Sequence, residues 1–301
     1  MLAIPNFSEG RDRVAIEAIA RALTRASSAA RLLDVHTDPD HNRTVYTLSA
    51  PAGPAGPAAL VNALVGGAQE AVRTLDINAH QGIHPRVGTL DVAPLVFMDD
   101  SERGAAAAAA LVLGERLGSE LGIPVFLYGL LTDWRVTRAN IRRGGPEVLQ
   151  QRIDAGELRP DFGPRQLHPR AGAVLVAARS PLIAFNVELA PPATVETARE
   201  IAALIREGGA EGLPSVRAIG LTLAHRADVA QISTNVEDYR VTNLAALVKA
   251  ISRHAKPARA EVVGLPPRAA FDGFPDDLPV ANRRYLEDAL ESDRDWFGSS
   301  G

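Results

Sequence analysis

The chain of 301 residues contains no cysteine, and this absence excludes several kinds of chemistry. Without thiols there is no disulfide bond, no thiolate nucleophile and no zinc site with cysteine ligands. Apolar runs of the ~20 residues that a helix needs to cross a bilayer are missing as well. The start, Met1 to Asn6, lacks the charged region that opens a signal peptide. A cytoplasmic protein is therefore the default expectation, and the lack of cysteine is compatible with a reducing compartment.

An excess of charge of one sign is also missing, since the formal net charge is only −4. This balance gives no support to binding of nucleic acid or of an anionic membrane, and an anionic ligand would need a local basic cluster. Hydrophobic residues make up 46% and charged residues 23%, which is typical of a soluble globular protein. The length suggests about two domains.

The pattern of apolar residues predicts two similar units. In the first half, strand-like runs alternate with helical stretches at residues 2–7, 14–23, 31–36, 44–48, 58–74 and 90–97. Ser8 is expected to cap the first helix. This β-α-β-β-α-β order is typical of a ferredoxin-like split βαβ unit, and it recurs between residues 182 and 265. The predicted fold class is α/β (α+β) with two such units, and a ligand would bind in a cleft where units of this kind meet.

The expected domain boundaries follow from changes in composition. The first unit is predicted to cover residues 1–172 and the second residues 173–275. Residues 130–172 are polar and rich in Arg, Gly and Pro, so they are expected to form an excursion and linker with a short helix around 146–153. The acidic remainder, 276–301, is expected to be an appended and partly mobile tail.

The most informative stretch is His80-Gln81-Gly82-Ile83-His84-Pro85-Arg86. Gly82 loosens the backbone and Pro85 steers His84 toward extended geometry, so the stretch is predicted to be a loop. An imidazole on a loop held between firm elements can reach a ligand. Two alternatives stay open. One is a surface loop that happens to carry two histidines, and the other is a metal site. The loop geometry disfavours the metal site, because His80 and His84 would not share a helix face.

A second polar cluster is His36-Thr37-Asp38-Pro39-Asp40-His41. Its two carboxylates and two imidazoles suggest a metal site, but Asp-Pro-Asp is ordinary turn chemistry, so a polar turn between two strands is favoured. No metal is expected at either cluster.

Seven further segments occur in the order found in glutamate formiminotransferases. They are Ile4-Pro5-Asn6-Phe7-Ser8-Glu9-Gly10-Arg11, Leu33-Asp34-Val35-His36, Asp38-Pro39-Asp40-His41-Asn42-Arg43-Thr44-Val45, Gly122-Ile123-Pro124-Val125-Phe126-Leu127-Tyr128-Gly129, Pro160-Asp161-Phe162-Gly163-Pro164, Ala184-Phe185-Asn186-Val187 and Gln231-Ile232-Ser233-Thr234-Asn235. With the His-Pro-Arg loop they span roughly residues 1–270. The chain therefore resembles this family of folate-dependent enzymes of histidine breakdown.

The resemblance implies transfer of the formimino group of N-formimino-L-glutamate to tetrahydrofolate, giving 5-formiminotetrahydrofolate and L-glutamate. Tetrahydrofolate would be a co-substrate, and a homodimer without nucleic-acid or membrane partners is expected. The family's general acid/base histidine stands directly before Pro-Arg, a position that carries over to His84. A neutral imidazole suits this role, since its ordinary pKa of ~6.5 lies near the working pH. His36, Asp38 or Asp40 could orient it.

The expected binding residues combine this resemblance with charge and ring chemistry. Arginine binds carboxylates in a bidentate way, an aromatic ring can stack on a pterin, and glycine lets the backbone approach a flat ring. The predicted substrate- and folate-binding residues are Asn6, Arg43, Arg86, Phe162, Gly163, Pro164, Arg165, Gln166, Leu167, His168, Pro169, Arg170 and Ala171.

The chain departs from the family pattern in two places. His36 stands where animal members carry an acidic group, and Leu130-Leu131-Thr132 follows Gly129 where the family usually has Glu-Ala-Ala. The second departure leaves open a different formimino or formyl donor. A non-catalytic folate-binding protein is a further alternative. A helical cyclodeaminase half is not expected after the second unit, so a separate enzyme is expected to process the product.

Overall fold

The computed structural model describes residues 1–82, 85–223 and 228–292. The chain divides into two compact units, of which the first covers Met1–Arg179 and the second begins at Ser180. The described strands and helices of the first unit, in chain order, are β1 (Leu2–Ala3), β2 (Asn6–Phe7), α1 (Arg13–Arg25), β3 (Arg31–Asp38), β4 (Arg43–Ser49), α2 (Ala55–Thr74), β5 (Leu90–Val96), α3 (Arg103–Leu121), β6 (Val125–Leu127), α4 (Arg138–Arg142), α5 (Gly145–Asp154) and β7 (Val174–Arg179).

The first sheet has the strand order of a split βαβ unit with two strands added. β1 and β2 are halves of one strand interrupted at Ile4 and Pro5, and they pair antiparallel with β4 on one side and β5 on the other. β3 pairs with β4, and the parallel strands β7 and β6 extend the sheet beyond β5. The resulting order is β3-β4-β1/β2-β5-β7-β6. The predicted ferredoxin-like core is confirmed.

Helices α1, α2 and α3 cover one face of this sheet and enclose the main core. Ile19 of α1 and Phe7 of β2 are completely buried there. Tyr46 of β4 packs edge-on against Phe7, with 5.4 Å between the ring centroids. Its hydroxyl donates to the carbonyl of Ile16 at 2.9 Å, so the one polar atom of this ring is satisfied inside the core. Each large side chain buried in this way stabilises the unit by ~1.5–3 kcal/mol.

The start of α1 differs from the prediction that Ser8 caps it. The N-cap is Asp12, whose carboxylate accepts hydrogen bonds from the backbone of Val14 and Ala15. The hydroxyl of Ser8 donates instead to the carbonyl of Gly88 at 2.7 Å. Ser8 therefore ties the end of β2 to the residues just before β5, and the Asp12 cap starts the helix four residues later than Ser8 would.

Residues 129–158, here called the covering segment, pack on the opposite face of the sheet, although a linker was predicted for this region. Ile141 of α4 and Leu149 and Ile153 of α5 are buried in a second apolar cluster with side chains of β5, β6 and β7. α5 is the short helix expected around 146–153. The linker prediction was wrong because this polar stretch carries its few apolar residues at helical spacing, which lets them cover a sheet face.

The boundary between the units also differs from the expected one after residue 172. β7 lies between β5 and β6 and pairs with both, so the first unit extends to Arg179. A strand with partners on both sides belongs to its sheet, whatever the composition of the chain before it.

The second unit repeats the split βαβ order. Its described strands and helices are β8 (Ile183–Leu189), α6 (Val195–Ile205), β9 (Val216–Leu223), β10 (Val229–Val236), α7 (Leu244–Ser252), β11 (Pro257–Val263), β12 (Val280–Ala281) and α8 (Leu286–Glu291). The strand order is β12-β11-β8-β10-β9. Phe185 and Val187 of β8 are buried under α6 and α7, whereas Ala184, Asn186 and Glu188 alternate with them and face the other way. The second face of β8 is therefore largely polar.

Part of the expected tail is folded onto this unit. β12 pairs parallel with β11, and Leu278 and Leu286 are buried. The Arg268 guanidinium lies 4.4 Å from the ring centroid of Tyr285, a cation–π contact. Residues up to 292 thus belong to the second unit, and positions 293–301 lie outside the described residues. Among the helices described, none is long and apolar enough to cross a membrane.

Phe162 and Gly163 join the covering segment to α3. The carbonyl of Phe162 accepts from the backbone of Val125 at 3.0 Å. A Cβ at Gly114 of α3 would lie 2.8 Å from the Phe162 ring, and a Cβ at Gly163 would lie 2.6 Å from the carbonyl oxygen of Ile123. Glycines at 114 and 163 therefore allow this close approach, and Gly163 also has the left-handed φ of +79°.

Gly163→Ala should destabilise the first unit by about 2–4 kcal/mol, because a left-handed alanine costs about 1 kcal/mol and the overlap with Ile123 adds more. The matched control is Gly156→Ala, where φ is +76° but nothing lies within 4 Å of the added Cβ. It should cost only about 1 kcal/mol. The free energy of unfolding from urea titration measures both, and equal losses would contradict the packing argument.

Candidate active site

Three separate segments of the first unit meet around Asn42, a residue of the turn between β3 and β4. Its side-chain oxygen accepts from the backbone of Gly10 at 2.8 Å, and its side-chain nitrogen donates to the carbonyl of Gln81 at 3.0 Å. Its own carbonyl accepts from Nε2 of His80 at 2.6 Å. Asn42 is buried and adopts a φ of 50°, which asparagine tolerates well. The end of β2, the turn and the 80–86 loop are therefore held together by one residue.

The close approach of these segments also explains two glycines. A Cβ at Gly10 would lie 2.4 Å from the carbonyl oxygen of Asp38, and a Cβ at Gly82 would lie 2.4 Å from that of His41. Either substitution would push backbone against backbone. His84, the predicted general acid/base, lies with Ile83 outside the described residues. Its role stays a prediction, and the described residues on either side of it belong to this tightly held loop.

Arg86 closes the loop upon itself. Its guanidinium donates to the carbonyl of His80 at 2.6 Å and to that of Gly82 at 3.1 Å. Burial lowers the pKa of Arg86 from its ordinary value, although the charge of Asp91 opposes this. The predicted contact of Arg86 with a substrate carboxylate is untested, and the loop contacts are a second function of this side chain.

The tautomer of His80 is fixed by its partner. A carbonyl only accepts, so Nε2 must carry the proton that is shared with Asn42. Nδ1 is then an acceptor, and it is buried without a hydrogen-bond partner among the residues that the structure describes. Burial lowers the pKa of His80, and the charge of Arg86 adds to this effect. His80 is therefore a neutral anchor of the loop. In the described ranges no three His, Asp or Glu side chains are grouped to hold a metal ion.

Four predicted site residues share the face of the first sheet that is turned away from α1 and α2. They are Asn6, His36, Asp38 and Arg43. The strand register places them there, since directly paired residues point to the same side and alternate with their neighbours. Tyr46, which has the opposite orientation to Arg43 along β4, points to α1, where it bonds to Ile16. His36 is only 5% exposed, so its imidazole lies inside the folded chain.

Asp38 is engaged within its own turn. Its carboxylate accepts from the backbone of Asp40 and His41 at 3.0 and 2.9 Å and also bonds to Nδ1 of His41. Burial alone would raise the pKa of Asp38, but the hydrogen bonds and charge of His41 outweigh it and lower the pKa to about 2. Asp38 was also predicted as an orienting partner for His84, and that role stays a prediction because His84 lies outside the described residues; the described partner of Asp38 is His41. The Asp-x-x-His spacing of a capped turn was the signal that could have revealed this pair.

The predicted folate segment, residues 162–171, divides into two parts. Phe162 and Gly163 pack on α3, whereas residues 168–171 form a turn in which Nδ1 of His168 accepts from the backbone of Arg170 and Ala171. The carbonyl of Pro169 accepts from Asn78 at 2.7 Å, two residues before His80. The second part therefore adjoins the His80 loop. Between the two parts, Pro164, Arg165 and Gln166 are exposed, and the backbone of Leu167 donates to Gln150 at 2.8 Å.

Sequence reasoning missed Asn42, His41 and the buried pair Asp91–Arg142 that lies beneath the loop. Asn42 and His41 stood inside a recognised segment, but their bonds depend on which segments the fold brings together. Asp91 stands within an apolar run, and a charged residue at such a place signals a buried partner.

Two family models match this chain. The N-terminal subdomain of the formiminotransferase domain matches residues 1–179, and the formiminotransferase domain matches residues 184–269. The chain belongs to the formiminotransferase family.

Relatives of similar length carry the name glutamate formimidoyltransferase. The one from Streptococcus pyogenes serotype M1 is 34% identical over 297 residues, which are 96% of each chain. The one from Thermoplasma acidophilum is 36% identical over 277 residues, 89% of this chain and 88% of the relative. The formimidoyltransferase-cyclodeaminase of Sus scrofa is 37% identical over 268 residues, 87% of this chain but 48% of the relative. The chain thus spans about half the length of the formimidoyltransferase-cyclodeaminases of vertebrates that it matches.

Asp38→Asn should lower the free energy of unfolding at pH 6 by about 2 kcal/mol, since a pKa lowered from 3.8 to about 2 corresponds to that amount. The folded-state pKa lies below the ordinary one, so this stability is present above pH ~4 and is lost as the pH falls toward ~2. Urea titrations at pH 6, 4 and 3 should show the gap between wild type and variant closing. Asp100→Asn, at an exposed position, is the control. A gap that stays constant with pH would contradict the assignment.

Proposed function

We propose that this protein transfers the formimino group of N-formimino-L-glutamate to tetrahydrofolate in histidine degradation. The products are 5-formiminotetrahydrofolate and L-glutamate. The observation that carries the proposal is the match to relatives of nearly the same length named glutamate formimidoyltransferase, at 34% and 36% identity. The described residues beside His84 support it, because Asn42 and Arg86 hold residues 80–82 in place and acid/base chemistry needs a firm support.

In the proposed reaction, N5 of tetrahydrofolate attacks the formimino carbon. A new N5–C bond forms, and the C–N bond to the glutamate nitrogen breaks. One proton leaves N5 and one reaches the departing glutamate amine, so an imidazole that accepts the first and donates the second balances the step. His84 is proposed for this role, since its ordinary pKa of ~6.5 suits both half-steps near neutral pH. His36 or Asp38 is proposed to orient it.

The charged groups of the site suit anionic substrates. N-formiminoglutamate has two carboxylates, and folate carries a glutamyl tail. Arg43 shares its sheet face with Asn6 and His36, and guanidinium groups bind carboxylates in a bidentate way. Arg43, Asn6 and Arg86 are therefore proposed substrate contacts, and the 162–171 segment a proposed folate contact. No metal is assigned a role in this reaction.

His84→Ala should lower turnover by about 10²–10⁴-fold and leave tetrahydrofolate affinity nearly unchanged, because proton transfer is lost and binding contacts are not. The pH profile should lose a limb near pH ~6–7.5. His254→Ala is the control, since His254 bonds to Glu211 on the surface of the second unit. Steady-state assays and equilibrium folate binding measure both effects. Near wild-type turnover in His84→Ala would remove this residue from the mechanism.

The protein is further proposed to be a cytoplasmic homodimer with no nucleic-acid or membrane partner. The second face of β8 is largely polar, so it does not favour burial against a second copy. Exposed Leu111 and Val112 on α3, at 42% and 52% exposure, offer an apolar surface instead. A two-fold dimer should bury at least ~1,200 Å² in total. Light scattering at micromolar concentration should give about twice the chain mass of 31.9 kDa, and the mass of a single chain would contradict the dimer.

A further inference from the structure

Asp91, at the start of β5, is a buried carboxylate with two different partners. One oxygen accepts from the backbone of Val87 at 2.8 Å, and the other is paired with the guanidinium of Arg142. The side chains of Asp91 and Arg142 are only 4% and 10% exposed. A buried charge needs a partner, so these two side chains hold each other in place. The pair connects the sheet, the 80–87 loop and the covering segment.

On the loop side, Val87 is the point at which the chain returns to the sheet. Its backbone donates to Asp91, and its carbonyl accepts from Ala173 of the neighbouring chain segment at 3.0 Å. The preceding residue is Arg86, whose guanidinium reaches back to His80 and Gly82. The position of Val87 therefore sets where the Arg86 side chain starts, and Arg86 holds the described residues on the two sides of His84, 80–82 and 85–86, together.

On the other side, Arg142 is the last residue of α4. Ile141 beside it is buried in the same apolar cluster as Val87. α5 supports α4, because Arg152 donates to the carbonyl of Asn140 at 2.8 Å. The covering segment thus presents Arg142 to Asp91 from a fixed position. Nε of Arg142 is buried without a hydrogen-bond partner in the described part of the chain.

We infer that Asp91 and Arg142 are positioning residues for the acid/base step. They act by holding residues 85–87, where the loop returns to the sheet. The inference rests on the proposed function. A buried ion pair adds little net stability, because desolvation offsets the attraction. What it supplies is a fixed geometry, and a misplacement of ~1 Å at a reacting group can cost about 10²-fold in rate.

The principal test is the double variant Asp91→Asn/Arg142→Gln. It removes both charges together, so no unpaired charge is left buried, and Asn keeps an oxygen for the backbone of Val87. Turnover should fall about tenfold, while the Michaelis constant for tetrahydrofolate stays within about twofold, because geometry at the reacting group changes and binding does not. Hydrogen exchange should become faster in peptides covering residues 80–88 and stay unchanged in the β8 peptide 183–189. Wild-type turnover in the folded double variant would overturn the inference.

Two further variants keep the test decisive. Arg142→Lys retains the charge and loses the planar fork, so it should fold and show a smaller loss of turnover. If the double variant fails to fold, wild-type turnover in Arg142→Lys overturns the inference. Arg116→Gln breaks an arginine–glutamate pair on α3, which packs on the sheet face opposite the covering segment. An equal loss of turnover there would show that the effect is not specific to the Asp91–Arg142 pair and would overturn the inference.

Failure of the proposed function has a different signature. Wild-type protein would then show no transfer from formiminoglutamate to tetrahydrofolate. The exchange comparison between wild type and the double variant would still report whether the pair holds the loop. Unchanged exchange in residues 80–88 would overturn the inference on its own.

Discussion

The three hydrogen bonds of Asn42 are the constraint on which the rest of the candidate site depends. They fix the end of β2, the turn after β3 and the 80–86 loop to one another. Asn42 itself is buried, and a buried polar group left without its hydrogen bond costs ~1–3 kcal/mol. The segments are far apart in sequence, so the site exists only in the folded unit. Glycines 10 and 82 are needed because the backbones come this close.

The first sheet divides its two faces between different tasks. The face under α1, α2 and α3 is apolar and holds the main core. The other face is apolar where the covering segment packs on it and polar around His36 and Asn6. The 80–86 loop joins the sheet through Val87, a member of the apolar cluster on this second face. A firm apolar base and a nearby polar surface are the combination that a positioned acid/base group needs.

Much of the fold could be predicted from local patterns. The alternation of apolar residues and the order of elements led to the two split βαβ units. The covering segment was missed because its apolar residues are sparse, and only its packing on the sheet reveals their function. The loop was found from Gly82 and Pro85, which act locally. Asn42, His41 and the Asp91–Arg142 pair could not be found in this way, since their partners are chosen by tertiary contacts between distant segments.

The placement of β7 between β5 and β6 has a consequence for the order of folding during synthesis. Among the described strands, β6 pairs with β7, and β7 ends only at Arg179. During synthesis, β6 and the whole covering segment therefore leave the ribosome before β7, and β6 has no sheet partner until β7 follows. Such non-local parallel pairing is slow to form, because a long loop must close first. The ferredoxin-like part, complete by Val96, can form before this and act as the template on which β7 and then β6 add.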